Sequence, residues 1–439
     1  MKYRILILIA LAGFSSLHSQ DWEMVEKYVQ PLVASNNFAG VVLISRAGEV
    51  VYHHAFGQAD AESGVEHTPA SVFQIASVSK PFTATAVMAL VEEGKLALAD
   101  PLSKFVPDHT RGDAITLHHL LTHTSGIPNV NGLPVYHALE QQTNDLPGLI
   151  THFKHLPLRF EPGERYGYSN SNYNLLAYIV EEVSGQNFGE FLSTRFFAPL
   201  GMDHTGHPGR HPREQVSIVP GYEAVGVNDK QRARQINWSV KTGNGSLYST
   251  THDLHRWTQA FLSGQVVSPE SRDQMLTEHT DNVGYGWFIR PRHDRPQFHI
   301  NGRSPGYTAV ISVYPQEELC IIILSNNYVP VPTQMSIDIA GIMFGMPVEP
   351  PIAGDGSVPP DVAPQVSGGY QFGPDFYRPN QLLQVREEEG YLMVDWGVLL
   401  YQSGMRFINR PFWSDVEFVK EDGDWVMKYD AFTGLSVDQ

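Results

Sequence analysis

The chain has 439 residues, of which 42% are hydrophobic and 18% charged, the balance of a globular protein long enough for two or three domains. Its formal net charge of −17 comes without a basic cluster, which excludes nucleic acid and anionic membrane surfaces as natural partners. Cys320 is the only cysteine, so no intramolecular disulfide can form and stability must rest on packing.

Residues 1–19 read as a signal peptide. Lys2 and Arg4 precede an apolar run over 5–14 and small residues over 15–19, and that run is too short to span a bilayer. No cysteine follows it, so no lipid anchor is expected. The protein is expected to be exported, periplasmic or secreted, with no membrane anchor. A helix-like segment follows, with Trp22, Val25, Tyr28, Val29 and Leu32 at helical spacing. Strand-like runs at 40–45 and 49–56, joined by Arg46-Ala47-Gly48, then signal a hairpin.

The stretch over 73–85 holds the only serine with a lysine three residues later, Ser77 and Lys80. Val78, Phe82, Thr85, Ala86 and Ala89 recur at three-to-four spacing and Gly94 is a stop signal, which predicts a helix with Ser77 at its N-terminus. Pro81 fits the first turn. Residues three apart share a helix face, so Lys80 reaches the Ser77 hydroxyl. A desolvated amine can take the proton of a serine nucleophile without any histidine. Alone the spacing is weak, since a capping serine and a solvated lysine give the same pattern.

After Thr116 a short helix is expected to carry His118, His119 and His123. His119 and His123 are four apart, as on a zinc-binding helix, but no Glu follows His119. His204, His207 and His211 lie in a Gly/Pro-rich loop. Neither group makes a convincing ligand set, so no metal and no cofactor is expected. In the turn-rich loop over 160–170, Tyr168 and Asn170 are two apart, and in extended chain both point the same way. A phenol near a lysine can shuttle a proton, and an amide can hold a substrate carbonyl. An amphipathic helix (Tyr173, Leu176, Ile179, Val180, Val183) then runs to Gly185, and the segment 243–250 leads into another with Asp253, Leu254 and Trp257. The runs 308–314 and 319–324 read as central antiparallel strands. Six prolines between 347 and 364 mark a linker. Short alternating runs at 382–386, 391–396, 416–419 and 425–429 then predict a small β domain over 365–439, a barrel or sandwich.

Six stretches in one order, over 73–85, 96–107, 115–128, 160–185, 199–205 and 245–257, together resemble the serine β-lactamase and penicillin-binding-protein superfamily, specifically its class C branch. That branch includes β-lactamases, D-alanyl-D-alanine carboxypeptidases, D-amino-acid amidases and lipase-like esterases. The resemblance covers about residues 22–345 and implies an α/β (α+β) fold of the β-lactamase/transpeptidase type. An antiparallel sheet would be flanked by helices, with Ser77 in a cleft and a small C-terminal all-β domain appended. The expected division is 20–346 for the hydrolase domain, 347–364 for the linker and 365–439 for the β domain. The resemblance also implies Ser77 as acylated nucleophile, Lys80 as its proton partner, Tyr168 as second base or proton shuttle, and Asn170 as a substrate-positioning amide. The backbone N–H groups of Ser77 and Arg303 would form the oxyanion hole.

The family's third motif is Lys or His, any residue, Gly, on a strand facing the serine. The literal Lys241-Thr242-Gly243 sits directly before the 245–250 segment, which the family places well ahead of that motif, so it reads as a decoy. The positional match is Ile300-Asn301-Gly302, followed by Arg303, with Ile300 in the cation's place and His299 one residue early. On a strand, His299 should look away from Ser77 unless a bulge shifts the register. A missing cation weakens recognition of a substrate carboxylate, which favours an ester or amide hydrolase acting on a small molecule or peptide, peptidoglycan fragments included. The alternatives are a β-lactamase and, in another class, a non-catalytic cell-wall-binding or scaffold protein. The oligomeric state is not legible.

Overall fold

The computed structural model of the chain describes residues 21–208, 216–227, 229–352 and 354–437. The signal-peptide reading and His211 lie outside the described residues. The chain falls into two compact units, one of residues 40–221 with 233–326, the other of 21–39, 222–232 and 327 onwards.

The first unit is built on a six-stranded sheet. Its strands are β1 (Gly40–Arg46), β2 (Glu49–Phe56), β3 (Phe288–Ile289), β4 (Phe298–Ser304), β5 (Tyr307–Tyr314) and β6 (Leu319–Ser325), in the order β2-β1-β6-β5-β4-β3. Every recorded pairing is antiparallel. The expected hairpin and the two central strands are present. Strands β5 and β6 are buried along their whole lengths, which is why they read as continuous apolar runs rather than alternating ones. Cys320 is part of this core, and burial pushes its thiol up to about 12.

Three helices of this unit position the site: α2 (Lys80–Glu92), α3 (Asn170–Ser184) and α4 (Thr251–Leu262). Helix α2 is buried from Lys80 to Leu90, as expected for a helix that is apolar all round. Phe82 lies 4.1 Å from the Trp257 ring of α4, and Trp257 stacks on Trp287 at 6.0 Å. Such fully buried aromatic side chains contribute roughly 1.5–3 kcal/mol each. Thr250 caps α4 by accepting the Asp253 N–H at 3.1 Å. Helix α3 ends at Gly185 with φ +70°, the left-handed stop that glycine favours.

The second unit contains α1 (residues 21–34), the short hairpin 222–232, α5 (Val331–Met343) and a closed eight-stranded barrel. The barrel strands, β7 (Gly368–Phe372) to β14 (Phe432–Val437), pair consecutively and β14 returns to β7. Of the two shapes expected for this region, the chain takes the barrel. Val358, Val362 and Val366 from the proline-rich stretch and its short following helix are buried in the barrel's own core. In this division helices α1 and α5 group with the barrel. Tyr28 of α1 donates to the Asp338 carboxylate of α5 at 2.6 Å.

Arg410 ties this unit together. Only 1% exposed, it donates to Asn37 Oδ1 at 2.7 Å, to the main-chain oxygens of Gly226 at 3.1 Å and Asn36 at 3.3 Å, and to that of Val227. Its guanidinium meets neutral oxygens rather than a carboxylate, and burial lowers its pKa to about 10. Arg410→Met would leave these oxygens unpaired. We expect a loss of about 3 kcal/mol in this unit, read as a lower urea midpoint by tryptophan fluorescence. An unchanged midpoint would refute the assignment.

Candidate active site

The sequence around Ser77 folds into a short 3-10 turn, Ala76–Ser79, from which α2 continues at Lys80. The helix therefore starts three residues later than the apolar spacing suggests. In a 3-10 turn, residues three apart eclipse one another, so Lys80 stands directly over Ser77. The turn packs on β4 and β5. Ala76 takes a left-handed φ of +48°, a conformation that costs an alanine roughly 1–2 kcal/mol and that the surrounding packing holds in place.

Lys80 is 1% exposed. Its Nζ donates to Ser77 Oγ at 3.1 Å, to Asn170 Oδ1 at 2.9 Å and to the Asn244 carbonyl at 2.7 Å. None of these partners carries a charge, so burial pulls the amine's pKa well below the ordinary lysine range. The Tyr168 hydroxyl lies 3.0 Å from Ser77 Oγ. Burial pushes it up to about 12, against a smaller downward pull from the hydrogen bond to Ser77. At neutral pH the trio thus combines a lysine biased towards neutrality with a protonated phenol, both on one serine hydroxyl.

Tyr168 and Asn170 both reach this centre, by a different route from a shared extended loop. Tyr168 ends the loop, whereas Asn170 opens α3. Both ends of the Asn170 amide are engaged: Oδ1 by Lys80, and Nδ2 by Asn131 Oδ1 at 2.7 Å. His123 packs its ring on Tyr168 at 4.6 Å and accepts the Ser169 N–H at Nδ1. It lies beyond the short helix Leu117–Leu121, with φ +59°, so His119 and His123 do not share a helix face. Burial and the nearby Lys80 depress His123 to about 3, which keeps it neutral and removes it as a base. His207 Nε2 pairs with the Thr242 hydroxyl at 3.1 Å. Among the described residues no group of three or more His, Cys, Asp or Glu could hold a metal, and none of their helices is long and apolar enough to cross a membrane.

The third-motif strand is β4. Its pairing with β5 runs from Phe298↔Val313 to Ser304↔Tyr307 with no shift in register, so no bulge turns His299 inwards. The His299 ring lies instead 5.5 Å from Phe288, and burial lowers it to about 4. Ile300 is 3% exposed and lines a small cavity with Lys80, Tyr168, Trp287 and Phe288. At the position expected for a cation, the cavity meets this isoleucine side chain. Asn301 and Arg303 are exposed, and Gly302 is buried against the serine turn. A Cβ at Gly302 would come 2.5 Å from the Ile75 carbonyl and 2.9 Å from the Ser77 nitrogen, so only glycine lets this strand approach the Ser77 backbone. Lys241 of Lys241-Thr242-Gly243 points elsewhere, its Nζ donating to the Tyr136 hydroxyl at 2.9 Å.

Sequence reasoning missed Asn244, His123 and Asn131. Asn244 contributes a main-chain oxygen rather than its side chain, which no residue-type pattern marks. His123 was weighed only as a metal ligand, and Asn131 is 39 residues from its partner, in the short 3-10 turn Val130–Gly132.

Residues 25–339 match the Beta-lactamase family model. Putative penicillin-binding protein PbpX of Bacillus subtilis (strain 168) is 32% identical over 291 residues, covering 66% of this chain and 71% of that protein. Among solved structures, the octameric penicillin-binding protein homologue from Pyrococcus abyssi aligns over 95% of this chain and 100% of its own, with a TM-score of 0.68 and 23% identity. D-amino acid amidase from Ochrobactrum anthropi SV3 aligns over 74% of this chain and 99% of its own, with a TM-score of 0.65 and 19% identity. The latter two establish likeness of fold, while the family match spans well over half of the chain. The protein belongs to the β-lactamase family, within the superfamily of serine β-lactamases and penicillin-binding proteins.

Proposed function

We propose that this protein is an exported serine hydrolase that cleaves an ester or amide through an acyl-enzyme on Ser77. The observation that carries this reading is the Lys80 amine, buried among neutral oxygens 3.1 Å from Ser77 Oγ. A neutral amine at that distance can accept the hydroxyl proton as Oγ attacks the substrate carbonyl carbon. The resulting oxyanion would be held by the Ser77 and Arg303 backbone N–H groups, with Gly302 allowing the close approach of strand and serine. As the tetrahedral intermediate collapses, the bond to the leaving group breaks. Tyr168, protonated and 3.0 Å from Oγ, can supply the leaving group's proton, and the proton that Lys80 took from Oγ then restores the phenol directly, since the acylated Oγ carries none to relay. Water then attacks the acyl carbon, passes a proton back through the same groups and releases the acid.

Ile300 narrows the substrate. A buried isoleucine offers no partner to a carboxylate, and an unpaired charge against it would be costly. That supports esters and neutral amides, D-amino-acid amides among them, over penicillins and D-Ala-D-Ala peptides. The fold shared with a D-amino acid amidase fits the same class. The name of the PbpX relative favours a second reading, acylation by a β-lactam with little or no turnover. Export rests on the signal-peptide pattern of residues 1–19.

Ser77→Ala should abolish hydrolysis of short-chain nitrophenyl esters by residues 20–439 while thermal unfolding is unchanged; retained turnover refutes the acyl-enzyme. In the wild type, kcat/KM should rise with pH as Lys80 loses its proton. It should level off well below the ordinary lysine range, because burial disfavours the ammonium. A rise delayed to near pH 10 would contradict Lys80 as the base. Gly302→Ala should lower kcat about 100-fold, the usual effect of losing one oxyanion donor, by forcing β4 off the Ser77 nitrogen.

A further inference from the structure

Lys241 is a second buried lysine, 7% exposed, and the chemistry above does not use it. It ends the 3-10 turn Trp238–Lys241, which Asn237 caps by accepting the Ser239 N–H at 3.1 Å. Two paths run from Lys241 to the amine of Lys80. Along the main chain, the Lys241 carbonyl accepts the N–H of Asn244 at 3.0 Å and of Gly245 at 2.8 Å, and the Asn244 carbonyl then accepts Lys80 Nζ at 2.7 Å. Through side chains, Lys241 Nζ donates to the Tyr136 hydroxyl at 2.9 Å, and the Asn131 side chain lies beside the same hydroxyl. Asn131 Oδ1 in turn fixes Asn170 Nδ2 at 2.7 Å, which aims Asn170 Oδ1 at Lys80, 2.9 Å away.

We propose that Lys241 is a positioning residue for Lys80: one lysine sets the place of both oxygens that, with Ser77, hold the other's amine. The inference rests on the reading of Lys80 as proton acceptor. The groups facing Lys241 are the Tyr136 hydroxyl, the Glu140 carboxylate, the Arg234 guanidinium and Lys80 itself. His207 bonds the hydroxyl of the next residue, Thr242. Glu140 is buried and is paired with Arg234 at 2.5 Å. It offsets part of the charge gathered here. Burial still lowers Lys241 to about 8, and repulsion from Lys80 acts in the same direction. The repulsion is mutual, so Lys241 also disfavours a proton on Lys80. The Lys-x-Gly triplet that resembles a displaced third motif thus acts behind the catalytic lysine rather than in front of the serine.

The test is Lys241→Met, which keeps most of the side-chain volume and removes the charge and donors, beside Lys241→Arg and Tyr136→Phe. With a short-chain nitrophenyl ester, Lys241→Met should lower kcat about tenfold with KM within about twofold, and Lys241→Arg should recover most of the loss. The acid limb of the pH profile should move to higher pH, because removing a like charge and loosening the packing around Lys80 both favour its ammonium form. The Lys80 titration midpoint, followed by NMR on isotope-labelled lysine and assigned with Lys80→Arg, should move up in parallel. Tyr136→Phe should shift both readouts in the same direction and supplies the test if Lys241→Met fails to fold. Wild-type kcat and an unmoved Lys80 midpoint in these variants would overturn the proposal. Turnover that survives Ser77→Ala would instead defeat the functional reading, while the Lys80 midpoint, which needs no turnover, would still decide the positioning.

Discussion

A lysine amine held dry among neutral oxygens is the constraint on which the rest of the site depends. An ammonium buried without a counter-charge carries a desolvation cost of several kcal/mol, and a protein relieves that cost by releasing the proton. Lys80 meets a serine hydroxyl, an amide oxygen and a main-chain carbonyl, with no carboxylate among them. The surrounding structure keeps water and acid away. Helix α2 is enclosed along its length, the Trp257 and Trp287 rings lie under its first turns, and α3 closes the side where Asn170 and Tyr173 meet the amine.

The same dryness acts on Tyr168 with the opposite sign, because burial always favours the neutral species. It lowers the lysine and raises the phenol, so one environment yields an acceptor and a donor on a single hydroxyl. His123 completes the logic as a neutral ring that supports Tyr168 without competing for protons. Ile300 adds its apolar side chain to the cavity that Lys80 and Tyr168 line.

Much of this was legible in the residues, for stated reasons. The continuous apolar runs of β5 and β6 mark strands buried on both faces, and Gly185 and Gly94 mark helix ends. Ser77, Lys80, Tyr168 and Asn170 were named from spacing and family order, and the structure links them in a chain of hydrogen bonds, Tyr168 to Ser77, Ser77 to Lys80 and Lys80 to Asn170. Other features escaped because they do not depend on side-chain type. The 3-10 turn at Ser77 breaks the helical period before it begins, and a left-handed Ala76 has no signature in composition. In the barrel, four strands were read from alternation. The others, such as Arg406–Asn409 and Gly397–Ser403, are short or carry irregular burial, and only closure of the sheet makes them strands.

The sequence by itself determined the family, the antiparallel sheet with its helices, the appended β-rich region and the identity of the central side chains. Local period, turn chemistry and ordered motifs are properties of the chain, and they need no partner to be read. Tertiary structure alone decided that the Asn244 carbonyl grips Lys80 across 164 residues and that Lys241 anchors that grip from behind. It also decided that α1 and α5 group with the barrel. Main-chain oxygens, buried cations among neutral acceptors and helices tied by one distant hydrogen bond acquire their meaning only when remote segments meet.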